Sequence, residues 1–265
     1  GTNAGYAGKG SNTVSIGNFA GQYNQGNNGI AIGNGAAQGG LLLNGQGEGA
    51  IAVGVGAGGG GTPQASNSVA IGSNAGNFSQ LAESVAIGTV SGYCNQSIYS
   101  ISVGSSSGYS NQGSGSIAIG YKAGQTSQGS YSIALGWNAG LSNQAANSII
   151  LNANSTALNS SRSGLYINPI YATGSTLSTL MYNTGTSEIV VSSSKTFVID
   201  HPDDKNKYLV HACLEGPEAG VYYRGKGEIP VGEDSVVITL PNYVSSLAKD
   251  FTVHLLSLIH ISEPT

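Results

Sequence analysis

Four ionisable side chains that could bind a metal or catalyse a reaction lie near one another in the C-terminal part of the sequence: His201, His211, Glu215 and Glu218. Such a site needs the groups to converge in a defined geometry. Their spacing matches no ligand pattern, although a strand through "HACLE" would place His211 and Cys213 on one face. We favour structural hydrogen bonding. We therefore predict no catalytic, metal or cofactor-binding residue and no enzymatic activity.

Two further motifs for ligand chemistry are also disfavoured. The stretch "GVGAGG", Gly54 to Gly59, matches G-x-G-x-x-G, but that motif needs a following helix to hold phosphates. Here glycines and Pro63 follow, and then another repeat. A calcium-binding β-roll needs aspartates in every turn, and no aspartate precedes Asp200. An ice-binding solenoid would need a regular threonine ladder, and the threonines are scattered.

The composition is biased but does not indicate disorder. Of 265 residues, 42 are glycine and 8% are charged, with a net charge of −4; globular domains average about 25% charge. Low charge disfavours nucleic acid, which is held mainly by Lys and Arg. No apolar run reaches the roughly 18 residues of a membrane span. Because the charged residues are concentrated after Arg162, we expect two regions of different chemistry; before it stand Lys9, Glu48, Glu83 and Lys122.

Neither the cysteines nor the N-terminus defines a cellular compartment. Cys94 and Cys213 lie in separate regions, and we expect two half-buried free thiols, because a disulfide framework needs more cysteines at closer spacing. The chain begins at Gly1 within a repeat and shows no leader sequence, so we expect a fragment of a longer protein.

A sixteen-residue repeat dominates the first part of the chain. A glycine ends each short apolar segment, and the spacing is sixteen except across two insertions, "GGLLLNG" and "GGGGTPQ". Self-similarity at a fixed period indicates a repeat architecture. These glycines are Gly17, Gly33, Gly54, Gly72, Gly88, Gly104, Gly120 and Gly136.

The residues around each repeat glycine predict one strand per coil. Ile, Val or Leu stands one and three residues before it, with Ala or Ser between, and this period-two alternation is typical of strands. Two glycines per repeat disfavour a helix. We predict a parallel β-solenoid with Ile119 and Leu135 pointing inward and in register. Because a core of two aliphatic residues per coil is thin, we expect several chains to associate, in the simplest case as a parallel trimer.

The repeat segments resemble those of known fibrous proteins. "NSVAIGSNAG" (67–76) and "ESVAIG" (83–88) are similar to the head repeats of YadA-type trimeric autotransporter adhesins. The longer "AGQTSQGSYSIALG" (123–136) is closer to repeats in tail-fibre and surface-fibre proteins of phages and large viruses. For residues 1–158 the resemblance implies a left-handed parallel β-roll in a homo-oligomer, with an extracellular or virion location.

The remaining chain is predicted to contain three further regions. Residues 159–194 would be a neck with a hairpin around "NTGT". Residues 195–255 would form an incomplete β-rich module with strands at "TFVID", "YLVHACL", "GVYYRGKGEI" and "SVVITLP". Its segment "KYLVHACLEGPEAGVYYRG" (207–225) resembles a domain of viral fibre proteins. Residues 256–265, "LSLIHISEPT", resemble translated sequencing adapter and are expected to be non-native.

Four aromatic residues are the candidate ligand contacts. Tyr121 and Trp137 both follow a repeat glycine directly, and Tyr93 and Tyr109 both stand five residues after one. Stacked coils would place the rings of each pair about 5 Å apart, where nearby glutamines such as Gln112, Gln128 and Gln144 could help hold a sugar. The alternative is that the rings only stack on each other.

The sequence therefore favours a non-enzymatic fibre or adhesin fragment that attaches to a surface receptor, such as a cell-surface glycan or protein. The alternative is a virion assembly module that binds other structural proteins and no host ligand. We expect no cofactor, no nucleic acid and no membrane span in this fragment.

Overall fold

The computed structural model describes residues 1–39, 45–60, 62–171, 179–192, 196–212, 223, 225–247 and 253. It divides into two compact units, Gly1–Ala172 and Thr173–Thr265. The first unit confirms the predicted all-β parallel solenoid, in which one short strand of every coil joins a common sheet.

Ten strands form the main sheet of the first unit. All neighbours pair in parallel, and like positions of successive coils align, so Ile119 pairs with Leu135 as predicted. The strands, in sheet order, are β1 (Val14–Ile16), β2 (Ile30–Ile32), β3 (Ile51–Val53), β4 (Val69–Ile71), β6 (Val85–Ile87), β8 (Ile101–Val103), β10 (Ile117–Ile119), β12 (Ile133–Gly136), β13 (Ser148–Asn152) and β14 (Gly164–Asn168). Strand β14 lies in the segment predicted to be a neck, so the sheet extends beyond residue 158.

A second parallel sheet forms another wall of the same coils. It contains β5 (Phe78–Gln80), β7 (Cys94–Gln96), β9 (Ser110–Gln112) and β11 (Thr126–Gln128). Its first strand follows both insertions, in the part of the chain where the sixteen-residue period is regular. Each coil between Gly72 and Gly136 thus contributes one strand to each sheet.

In the main sheet from β1 to β12, the strand residue that faces the interior is Ala or Ser, and the predicted inward position of Ile119 and Leu135 is wrong. Their side chains are 37% and 44% exposed, whereas Ala118 and Ala134 are fully buried. In a three-residue strand the first and third side chains share one face and the second points to the other. The alternation was therefore identified correctly but assigned to the wrong face.

The narrow interior explains this orientation. A Cβ built on Gly124, on the opposite side of the coil, would lie only 3.1 Å from the Cβ of Ala118. At this level there is room for a methyl group but not for a branched side chain. The other buried positions of the regular coils are mostly Ala, Ser, Gly or Gln, including Ala123, Ala139 and Ser132. Ile150 in β13 differs: it is fully buried at the position equivalent to Ala134 and packs against Leu158 and Tyr166, in a coil that lacks the Ala-Gly pair of the regular repeat.

A column of buried glutamines binds the two walls together. Gln128 Nε2 donates to the carbonyl oxygen of Ile117 at 2.9 Å, and Gln112 Nε2 donates to that of Ile101 at 2.9 Å. Gln112 Nε2 also donates to Gln128 Oε1 at 3.3 Å. Buried polar groups require such partners, so the amides supply cohesion that a larger apolar core would otherwise provide. The column contains Gln25, Gln46, Gln64, Gln80, Gln96, Gln112, Gln128 and Gln144.

The repeat glycines are required by both conformation and space. Gly120 has φ 127°, and a Cβ built on it would lie 2.5 Å from the carbonyl oxygen of Gly136 in the next coil. Each corner therefore stacks backbone directly on backbone.

The second unit contains two described hairpins. β15 (Thr179–Asn183) pairs with β16 (Glu188–Ser192) around "NTGT", as predicted, and β17 (Thr196–His201) pairs with β18 (Asp204–Ala212). A single-turn helix, α1, spans Val244–Leu247. The predicted strands "GVYYRGKGEI" and "SVVITLP" are absent from their described residues. A Cβ built on Gly227 would contact the Ile238 side chain, so these segments approach each other without forming a ladder.

The stacking of the corners can be tested with two substitutions that strain the backbone similarly, of which only one also creates a steric clash with the next coil. Gly120→Ala adds a Cβ that meets the Gly136 carbonyl, whereas Gly164→Ala, at φ 136°, meets nothing within 4 Å. We expect Gly120→Ala to lower the free energy of unfolding by about 1–3 kcal/mol more than Gly164→Ala, the usual cost of overpacking. Equal losses in chemical denaturation would contradict the stacked-corner geometry.

The glutamine column predicts two stabilising substitutions. Ser102 Oγ donates to Gln112 Oε1 at 2.6 Å, whereas Gln96 Oε1 and Gln144 Oε1 have no partner. Alanine occupies the position equivalent to Ser102 in both of those coils. We expect Ala86→Ser and Ala134→Ser to raise the free energy of unfolding by about 1 kcal/mol, the net value of one hydrogen bond.

Ala118→Ser is the matched control for these two substitutions. Gln128 Oε1, its prospective partner, already accepts from Gln112 Nε2. Ala118→Ser should therefore raise the midpoint of thermal denaturation less than Ala86→Ser or Ala134→Ser does. A gain as large as that of Ala86→Ser would contradict this account.

Candidate functional site

An extended apolar surface covers the outward face of the ten-stranded sheet, which we call the aliphatic face. Each strand contributes two Ile, Val or Leu residues, and parallel register aligns them into two continuous columns. None of these positions is fully buried. The residues are Val14, Ile16, Ile30, Ile32, Ile51, Val53, Val69, Ile71, Val85, Ile87, Ile101, Val103, Ile117, Ile119, Ile133, Leu135, Ile149, Leu151, Leu165 and Ile167.

The size of this face sets it apart from scattered surface hydrophobics. Ten strands about 4.8 Å apart make a stripe roughly 43 Å long. Contiguous apolar patches of more than a few hundred Å² usually mark an interaction site. No ionisable residue occupies either column, so the face offers shape and apolar area but no charge.

Two of the predicted ligand contacts lie beside this face. The rings of Tyr121 and Trp137 are both exposed, with centroids 4.4 Å apart and planes inclined by 34°. Lys122 Nζ lies 5.2 Å from the Tyr121 ring centroid, within cation–π range. The predicted pairing across adjacent coils is thus present, and the two rings pack on each other.

The other predicted pair lies on a different side of the coils. Tyr93 and Tyr109 are half-buried and stack with centroids 5.1 Å apart and planes 7° from parallel. Phe78 meets Tyr93 edge-on, with a centroid distance of 5.2 Å. One face of each tyrosine ring is therefore covered by the other ring.

The expectation that nearby glutamines could help hold a sugar is wrong. Gln112, Gln128 and Gln144 are almost fully buried, and their amide nitrogens donate to carbonyl groups inside the coil. A side chain that bonds the two walls cannot also face a ligand at the surface. Any sugar contact at the aromatic pairs would need other polar groups.

The ionisable C-terminal groups form no metal cluster in the described residues. His201 Nδ1 accepts a hydrogen bond from the Asp203 N–H at 3.2 Å, and its ring meets the Tyr243 ring edge-on at 4.9 Å. These contacts fit the favoured structural role of His201. The His211 side chain and the residues Cys213, Glu215 and Glu218 lie outside the described part of the chain.

Two pKa values in the second unit are shifted for ordinary structural reasons. The Lys207 ammonium, 2.9 Å from Asp204 Oδ2, and the Asn206 N–H lower the pKa of Asp204. Burial, and then the neighbouring Tyr243, raise the pKa of Tyr223. Neither shift brings together an acid and a base in the way that a catalytic site requires.

Two other features, the glycine-rich motif and a surface cavity, belong to the structure of the coils. Residues 54–59, "GVGAGG", form a repeat corner and turn, and β4 rather than a helix is the next described element. A surface cavity of about 420 Å³ near the insertions includes Gln46 and Gln64 in its lining. Both amides are already bonded to interior carbonyls and to each other.

Cys94 is a half-buried free thiol, as predicted. Among the described helices none is both long and apolar enough to cross a bilayer. Comparisons with known protein families, with curated proteins and with solved structures found no match to this chain. The aliphatic face and the exposed aromatic residues are thus the surface features of the described coils that are able to contact a partner.

Proposed function

We propose that this chain is a structural segment of an oligomeric surface fibre, in which the solenoid is the rod and copies associate through the aliphatic face. The observation that supports this is the pair of uncharged aliphatic columns along ten strands. Fully burying one such side chain contributes about 1.5–3 kcal/mol. A homo-oligomer, most simply a parallel trimer, would bury them all together.

The repeat architecture supports a mechanical role over a catalytic one. Every coil repeats the same small interior and the same hydrogen bonds, so a stack can be long and uniform. The resemblance to adhesin heads and viral fibres implies the same type of role. Attachment to a surface receptor, and an extracellular or virion location, belong to this proposal.

Sedimentation of matched variants tests the aliphatic face. The unmodified protein should sediment as an oligomer at low micromolar concentration. Ile119→Asp should weaken association by more than about tenfold, because burying an unpaired carboxylate at the contact is costly, while leaving the coil intact. Ala118→Asp, one residue away and facing the interior, should instead prevent folding.

Thr126→Asp is the control for the added charge. Thr126 is exposed on β11, in the other sheet, so this variant should remain oligomeric. An unmodified protein that is monomeric at this concentration would overturn the proposed association. So would an Ile119→Asp variant that keeps its oligomeric state.

Glycan-array binding separates receptor attachment from the alternative of a virion assembly module. If an aromatic pair holds a sugar, binding should be lost in Tyr109→Ala or in Trp137→Ala, because the ring is the platform. Gln125→Ser is the matched control, since Gln125 is half-buried at the repeat position equivalent to Tyr109. An oligomer that binds no glycan on the array would favour the assembly module.

A further inference from the structure

The aliphatic face is flanked by two outward-facing border columns. The entry column stands two residues before the first aliphatic residue of a strand: Asn12, Asn28, Gly49, Asn67, Glu83, Tyr99, Gly115, Tyr131 and Asn147. The exit column follows the corner position directly: Asn18, Asn34, Val55, Ser73, Thr89, Ser105, Tyr121, Trp137 and Ala153. At each level one entry residue and one exit residue therefore lie on opposite sides of the same strand.

Two entry residues are unfavourable in an isolated copy. The entry column has φ between 55° and 67°, a region suited to Asn and Gly. Tyr99 and Tyr131 occupy it with φ 59° and 56°, and their side chains are 59% and 70% exposed. Because strained backbone and an exposed ring both cost free energy, their presence indicates a contact outside the single chain.

At three levels the two columns complement each other in size. Tyr121 in the exit column is level with Gly115 in the entry column, and the exposed Val55 is level with Gly49. In the reverse sense, Tyr99 in the entry column is level with Ser105. At these three levels a large residue on one border is level with a small residue on the other.

The level of β12 has aromatic residues on both borders. A Cβ built on Gly115 would lie 3.1 Å from Tyr131 Cδ1, so the Tyr131 ring extends over Gly115 towards the level of β10. On the exit border the Tyr121–Trp137 ring pair spans the same two levels. Each border therefore presents an aromatic surface at the same height along the stack.

We propose that neighbouring copies associate in parallel and in register, with the exit column of one copy against the entry column of the next. This rests on the proposed self-association through the aliphatic face. The Tyr121–Trp137 pair of one copy then packs on Tyr131 of its neighbour. An antiparallel pair would instead place entry column against entry column, with Tyr131 apart from the Tyr121–Trp137 pair.

The contact area and charge fit this arrangement. From entry to exit column each strand spans six residue steps, about 20 Å, and the stack is roughly 43 Å long. The footprint of about 850 Å² per copy resembles the roughly 800 Å² per partner of stable interfaces. Parallel register places Glu83, the residue of these columns that is charged at neutral pH, opposite Thr89, so no like charges face each other.

Short-range crosslinking between two singly substituted chains tests the register. In a background of Cys94→Ser and Cys213→Ser, one chain carries Tyr131→Cys and the other carries Trp137→Cys. After the chains are refolded together, a short bis-maleimide should couple the mixed pair at least about fivefold more than either chain alone. Tyr99→Cys mixed with Trp137→Cys is the control, because two levels, about 9.6 Å, separate them.

The outcomes distinguish this inference from the proposed function. An oligomer that couples Tyr131→Cys chains to each other, or that couples the control equally well, overturns the parallel register but keeps the self-association. A monomer overturns both. An intact oligomer that binds a glycan on the Trp137 ring would also overturn the inference, because that ring would then be free.

A second readout keeps the test valid if the cysteine variants assemble poorly. Trp137 is the single tryptophan of the chain, so its emission reports this contact directly. It should be blue-shifted in the unmodified oligomer and red-shifted in Ile119→Asp. Tyr131→Ser should shift the emission towards red while the protein remains oligomeric, and an unchanged spectrum would overturn the contact.

Discussion

The narrow gap between the two walls of each coil is the constraint on which the rest of the structure depends. In the coils that carry the Ala-Gly pair, the gap accepts the methyl group of Ala118 but not a branched side chain, whereas Ile150 fits inside the coil that lacks this pair. Interiors close to organic-crystal density tolerate no larger group without displacement. The coil therefore places its aliphatic residues outside, and a buried amide column supplies the cohesion within. The surface on which self-association is proposed follows directly from this limit on the interior.

The same narrowness governs the backbone. A coil of sixteen residues must turn sharply several times, and many of its corners adopt positive φ, where Gly and Asn have the least strain. At the repeat glycine the neighbouring coil also approaches to within contact of any added Cβ. The high glycine content thus reflects stacking geometry as well as turning. Tyr131 adopts positive φ although it is neither Gly nor Asn, so the geometry of the turn does not by itself account for a tyrosine at this position.

The architecture could be predicted from the sequence because the period, the strand alternation and the glycine positions are local signals. The face of the strand could not, since Ile119 and Ala118 alternate identically whichever of them points inward. That choice depends on the distance between the two walls of the coil, which the local sequence does not specify. The distance becomes visible only in the folded coil, where Gly124 approaches Ala118. For the same reason Gln128 resembled a surface amide in the sequence, although it bonds Ile117 in the interior. The pairing of Tyr121 with Trp137 was predictable, because stacking at a fixed period sets it directly.

The distribution of apolar groups implies that folding and association are coupled under the proposed assembly. Each coil buries few methyl groups inside, and each buried CH₂ is worth about 0.8 kcal/mol. The two larger aliphatic residues of the same coil remain partly exposed in a single copy. Under the proposed assembly, the part of these side chains that is still exposed, 37% for Ile119 and 44% for Leu135, would leave water only when copies meet. If the protein is an obligate homo-oligomer as proposed, its stability will depend on protomer concentration. A nearly uncharged solenoid is consistent with such an arrangement, because the faces brought together need few charges to be desolvated.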